Sequence, residues 1–149
     1  MINYIKGDLL GATQKVIIHG CNSMGVMGSG VAKLVRAKWT NVYEIYHLRY
    51  KTFGLEVGDI IPVATLDGKI VVNAITQKFY GRDSNTVYVD YNALAVCFIK
   101  LNDRALDWEV KEMALPKIGA GFANGDWAII EEIINQSATN YTPIVYSID

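Results

Sequence analysis

The sequence predicts a layered α/β domain built on a buried, mainly parallel sheet, and three observations support this. Short β-branched runs alternate with segments of helical spacing along the whole chain. Hydrophobic residues make up 51% of 149 residues, enough to bury a substantial core in one domain. Two glycine-rich segments each stand between a strand candidate and a helix candidate, the place where open α/β sheets bind ligands.

Taken in order, the strand candidates are Ile2 to Lys6, Val16 to Gly20, Asp59 to Ala64, Lys69 to Thr76, Glu112 to Pro116 and Pro143 to Ile148. The prolines at 62, 116 and 143 all fall near the expected strand ends. Helical spacing joins Val31, Leu34 and Val35, then Tyr91, Leu94, Ala95, Phe98, Leu101 and Ala105, and then Ala128, Ile129, Glu132 and Ile133. A further helix is expected from Asn41 to Tyr50, capped by Thr40 or Asn41, whose side-chain oxygens can accept from first-turn amides. Gly81 to Asn85 reads as a mobile loop, and Asp90 suits the cap of the helix that follows.

Composition excludes several functions. The formal net charge is -1, so no basic surplus draws in a nucleic-acid backbone. The two cysteines, Cys21 and Cys97, lack the paired spacing of a zinc site and are too few for a disulfide framework, so no metal is expected and a reducing cytoplasm fits. Lys6 and Asp8 interrupt any N-terminal apolar run before a membrane span or signal core forms. The expectation is one cytoplasmic, monomeric domain over residues 1–149, with no membrane partner.

The first glycine segment runs from Gly20 through Gly25, Gly28 and Gly30 into the Val31 helix, so main-chain amides and a helix N-terminus can converge on an anion. The second runs from Pro116 through Gly119, Gly121 and Gly125 into the helix opened by Asp126 and Trp127. One such cluster serves equally well as an ordinary turn, but a pair can grip a diphosphate. Neither matches a P-loop or a dinucleotide fingerprint: no Gly-Lys-Ser/Thr is present, and the glycine spacing is wrong for Gly-x-Gly-x-x-Gly.

Three stretches together resemble the macrodomain family: Lys6-Gly-Asp-Leu-Leu10, then Ile18-His-Gly-Cys-Asn22 leading to Gly28-Ser-Gly-Val-Ala32, then Pro116-Lys-Ile-Gly-Ala-Gly121 with Gly125-Asp-Trp127. The resemblance is strongest to its ADP-ribose-1''-phosphate phosphatases and lysine-dependent ADP-ribosyl glycohydrolases. It implies a three-layer α/β/α fold with a mixed, mainly parallel sheet, and an ADP-ribose ligand or derivative, free or on an ADP-ribosylated macromolecule. By the same resemblance, Asp8 accepts from the adenine amino group with Leu9 beside it, and Asn22 bonds the distal ribose. Gly28, Ser29, Gly30 and Val31 wrap phosphate and ribose through the main chain. Gly119, Ala120, Gly121 and Phe122 form the second phosphate loop, Phe122 covering the distal ribose. Cys21, Pro116, Ile118, Ala123 and Tyr146 are further ligand-lining positions. The bland alternatives are a turn cap for Asp8, a helix anchor for Phe122 and a plain core strand around Tyr146.

The implied chemistry is hydrolysis without a cofactor, with four candidate catalytic residues, His19, Asn22, Lys78 and Asp126. His19 either supplies a proton near neutral pH or is a satisfied structural histidine at the end of an apolar strand. Lys78 resembles the glycohydrolase lysine that attacks the opened distal ribose, a step needing a lowered pKa, and it reads equally as a solvated lysine. Some lysine-dependent members carry an aspartate where this chain has Ala123. Asp126 could supply a carboxylate, although a helix N-cap is its simplest assignment, and Asp83 and Asp90 flank the mobile loop within possible reach of the cleft.

Overall fold

A computed structural model describes residues 1–148. Its strands are β1 (Asn3–Lys6), β2 (Val16–Asn22), β3 (Ile60–Ala64), β4 (Ile70–Gln77), β5 (Glu112–Leu115) and β6 (Thr142–Ser147), and its helices are α1 (Gly30–Lys38), α2 (Thr40–Phe53), α3 (Tyr91–Asp107) and α4 (Trp127–Ser137). The strands form one sheet in the order β1-β6-β5-β2-β4-β3. Every neighbouring pair is parallel except β3 with β4, so the sheet is mixed and mainly parallel.

Alternation along the buried strands sorts side chains into two cores. On β2, Val16 and Ile18 face the layer of α3 and α4, while Ile17 and Cys21 face the layer of α1 and α2. The stripe Leu94, Cys97, Phe98, Leu101 and Ala105 seats α3 against the first face. Full burial of each large side chain in it contributes about 1.5–3 kcal/mol. The result is a three-layer α/β/α arrangement.

The strands fall within two residues of the expected bounds at each end; β2 extends to Asn22 and β4 to Gln77, whereas β1, β3 and β5 are each one residue shorter. Around Val87 to Asp90 a single antiparallel bridge joins Gln77 and Val89. The expected cap of α2 is corrected. Trp39 both ends α1 and precedes α2, leaving no room for a separate cap, and Thr40 already lies within the helix. Asn41 instead donates from Nδ2 to the Ala64 carbonyl at 3.1 Å, tying α2 to the end of β3. Asp90 and Asp126 do cap their helices, accepting from Ala93 N at 3.0 Å and Ala128 N at 2.9 Å.

Candidate functional site

The sheet order creates the site. From β2 the chain passes through α1 and α2 to β3 at one edge, whereas from β5 it passes through α4 to β6 on the other side. Since β5 and β2 are neighbours, their outgoing connections diverge and leave a crevice above their carboxyl ends. The two glycine segments follow β2 and β5, so they flank that crevice.

The first segment is shaped by Asn22. Its Oδ1 accepts from Met24 N at 2.9 Å, and its Nδ2 donates to the Val26 carbonyl at 2.9 Å. From below, the buried Tyr46 hydroxyl of α2 donates to the Asn22 carbonyl at 2.6 Å, with Oδ1 3.0 Å away. Burial pushes the Tyr46 hydroxyl pKa well up, keeping it a donor. Ser23 ties the segment to the end of β4, donating from N to the Gln77 carbonyl and from Oγ to the Lys78 carbonyl. At the start of α1 the cap residue Ser29 makes no side-chain capping bond, and Gly30, Val31 and Ala32 of the first turn all line the crevice.

The second segment turns at Gly119, whose φ of +78° is a left-handed conformation and where a Cβ would stand 2.9 Å from Val89 Cγ2. Gly125 N closes the loop on the Gly119 carbonyl at 2.8 Å. The amides of Gly121, Phe122 and Ala123 have no partner among the described residues. Asn124, at φ +60°, donates from Nδ2 to the carbonyls of Asp83 and Thr86, which fastens the loop after β4 to this segment.

Together these segments enclose a cleft of about 780 Å³, within the usual range for a small-molecule site. It is lined by residues 20–22, 26–32, 76–77, 80–82, 116–119 and 121–123. Thus Cys21, Asn22, Gly28, Ser29, Gly30, Val31, Pro116, Ile118, Gly119, Gly121, Phe122 and Ala123 all come together in it. Among the described residues, the charged ones lining the cleft are Arg82 and Lys117, with no carboxylate and no imidazole.

Several expected residues lie elsewhere. His19 is fully buried under α2, its Nε2 2.6 Å from Asn73 Oδ1, while Asn73 donates to the carbonyls of Val42 and Ile61. Burial lowers the His19 pKa to about 4, against a weaker upward pull from Asn73. This is the satisfied structural histidine of the two readings, with no surface in the cleft. Cys21 touches the cleft only marginally, and burial raises its thiol pKa, which makes it a poor nucleophile.

Lys78 follows the last residue of β4, and it is Gln77 that lines the cleft; the Lys78 ammonium lies 5.3 Å from the Phe79 ring centroid. Asp126 is occupied as the cap of α4 and does not line the cleft. Asp83 is likewise held in its own turn, accepting from Asn85 N and Thr86 Oγ1, which hold its carboxyl below the usual range. Asp90 caps α3. Asp8, Leu9, Ala120 and Tyr146 lie outside the cleft lining. Asp8 caps a 3-10 turn over Leu9–Gly11, accepting from Leu10 N, and the Tyr146 hydroxyl donates to Gln14 Oε1 at 2.7 Å. Gln77, Tyr80, Arg82 and Lys117 are cleft residues that sequence reasoning missed. The extension of β4 beyond Thr76 was the available signal for Gln77.

A model of the Macro domain family matches residues 18–134. The chain belongs to the Macro domain family. Its fold also matches the macrodomain of Mycobacterium tuberculosis DarG, with a TM-score of 0.84 and 25% identity over 98% of this chain and 97% of that one. The macro domain is 26% identical over 176 residues to an ADP-ribose 1''-phosphate phosphatase of Candida glabrata, covering 99% of this chain and 98% of the relative. To a DNA ADP-ribosyl glycohydrolase of Mycobacterium tuberculosis it is 27% identical over 135 residues, covering 89% of this chain. There it spans only 37% of the relative's length.

Proposed function

We propose that this macro domain binds ADP-ribose derivatives in the cleft between its glycine loops and removes phosphate from ADP-ribose-1''-phosphate. The observation that carries this reading is the pairing of two open main-chain amide cradles with Arg82 and Lys117 in a cleft without carboxylates. Such a lining favours a compact ligand bearing several negative charges. Its similarity to the Candida phosphatase along nearly the whole chain supports the same reading.

In the reaction, a water oxygen attacks phosphorus, the bond from phosphorus to the ribose oxygen breaks, and that oxygen leaves with a proton as the hydroxyl of ADP-ribose. Transfer of a phosphoryl group rests chiefly on positioning and on neutralising oxygens that carry charge. The cleft offers amides and cations for this, and neither a carboxylate nor an imidazole among the described residues, so the attacking water is oriented rather than strongly activated. Asn22 shapes the first loop, and its Nδ2 retains one hydrogen for a ligand oxygen.

Release of inorganic phosphate from ADP-ribose-1''-phosphate is the test, run beside ADP-ribosylated DNA and protein. A second reading, binding without turnover, is favoured by the absence of imidazole and carboxylate from the lining. Binding of ADP-ribose with no product from any substrate would select it. The glycohydrolase reading draws on the mycobacterial relative, but Lys78 lies outside the lining and Ala123 stands in the second loop, so the lysine and the loop aspartate that reading calls on do not line the cleft.

A further inference from the structure

Arg82 occupies an unusual setting. Its guanidinium carbon lies 5.0 Å from the centroid of the Phe122 ring, and it has no carboxylate partner among the described residues. The two acids nearest in sequence are engaged: Asp83 in its own turn and Asp90 at the start of α3. A guanidinium stacked on an aromatic face keeps its planar fork of N–H donors free at the edge. Asn124, reaching from the second glycine loop to the carbonyls of Asp83 and Thr86, fixes the segment bearing Arg82 to the loop bearing Phe122.

Strand order gives the cleft a direction. The crevice between β5 and β2 holds the two amide cradles, β6 and β1 lie to one side, and β4 lies to the other. Arg82 comes from the connection that leaves β4, the strand on the side of the cradles away from β6 and β1. A ligand lying along the cleft with its base toward β1 places its far terminus at Arg82.

We propose that Arg82 is the specificity-determining residue for a terminal phosphate monoester, pairing with it bidentately and making the cleft prefer ADP-ribose-1''-phosphate over ADP-ribose. This deepens, and rests on, the reading of the cleft as an ADP-ribose site. A fork of parallel N–H donors matches a phosphate, whereas an uncharged ribose hydroxyl gains little from it.

Displacement of a fluorescent ADP-ribose, read within the first seconds of mixing, measures both ligands on the wild type, Arg82→Ala and Arg82→Lys. The wild type binds the phosphorylated ligand more tightly. Arg82→Ala weakens the phosphorylated ligand about ten- to a hundredfold, and weakens ADP-ribose at least about tenfold less than that. Arg82→Lys, keeping charge without the fork, falls between them. The wild-type preference also shrinks below about pH 6, as the monoester loses its second charge. Equal losses for both ligands in Arg82→Ala, or no loss for either, would overturn the proposal. Failure of the wild type to bind the fluorescent ADP-ribose at all would instead overturn the function on which it rests, and the proposal with it.

Discussion

Phe122 of the second glycine loop lies against Gly30 of the first, so that a Cβ built on Gly30 would stand 3.4 Å from Phe122 Cδ2. Segments 92 residues apart in sequence thereby meet across one cleft. Gly30 also has a φ of +61°, where an L side chain is strained. Gly30→Val should therefore combine backbone strain with displacement of the Phe122 ring. The expected outcome is at least a tenfold loss of ADP-ribose affinity by calorimetry, with far-ultraviolet circular dichroism unchanged.

The closure of the second loop is tighter still. A Cβ on Gly125 would fall 2.5 Å from the Gly119 carbonyl oxygen, which cannot move without opening the turn. Gly125→Ala should lose the bond from Gly125 N and expose loop amides. Thermal melting is expected to drop by several degrees, with ADP-ribose no longer raising the midpoint.

Asn22→Ala removes the acceptor of Met24 N and the donor to Val26, and leaves the first loop without its internal brace. Since the Tyr46 hydroxyl still has the Asn22 carbonyl, the loss of stability stays near that of one buried polar group, about 1–3 kcal/mol. Urea titration should show this loss, and ligand affinity should fall with it. Unchanged stability and affinity would contradict the bracing role.

His19 makes the protein sensitive to acid without making it an acid catalyst. The unfolded chain takes up a proton at this residue near pH 6.5, the folded chain only near pH 4. Unfolding therefore takes up a proton between those values, and stability falls as pH drops from 6.5 toward 4. The full shift corresponds to about 3 kcal/mol. Urea midpoints measured across that window should decline in the wild type and flatten in His19→Gln, while turnover per folded molecule between pH 7 and 8 stays within about threefold, as expected of a group with no surface in the cleft.

Lys78→Ala is expected to retain ADP-ribose binding and turnover, and treatment with substrate and a borohydride should leave no adduct on Lys78. A trapped adduct there would move the glycohydrolase chemistry ahead of the phosphatase.

The α/β layering was readable because β2 and β4 are nearly continuous apolar runs and α3 carries an unbroken buried stripe from Leu94 to Ala105. Asp90 and Asp126 were readable as caps because a carboxylate before a helical run has a local partner to find. The two glycine loops were readable too, since each needs backbone freedom at a strand end. The neighbours that finish the cleft were not. Lys78 and Gln77 differ by a single position, and only the length of β4 decides which of them lines the cleft. Arg82 sits on an irregular segment without periodicity, which Asn124 holds through the carbonyls of Asp83 and Thr86, 41 and 38 positions away, contacts no local pattern encodes. The burial of His19 likewise depends on Asn73 and α2, which sequence spacing alone does not bring together.

Backbone amide resonances followed during titration with ADP-ribose test the paired cradles most directly. Residues 28–31 and 121–123 should shift together, with one dissociation constant and larger displacements than any other segment. Movement of only one of the two sets, or of neither while ligand binds elsewhere, would contradict a diphosphate clasped between them.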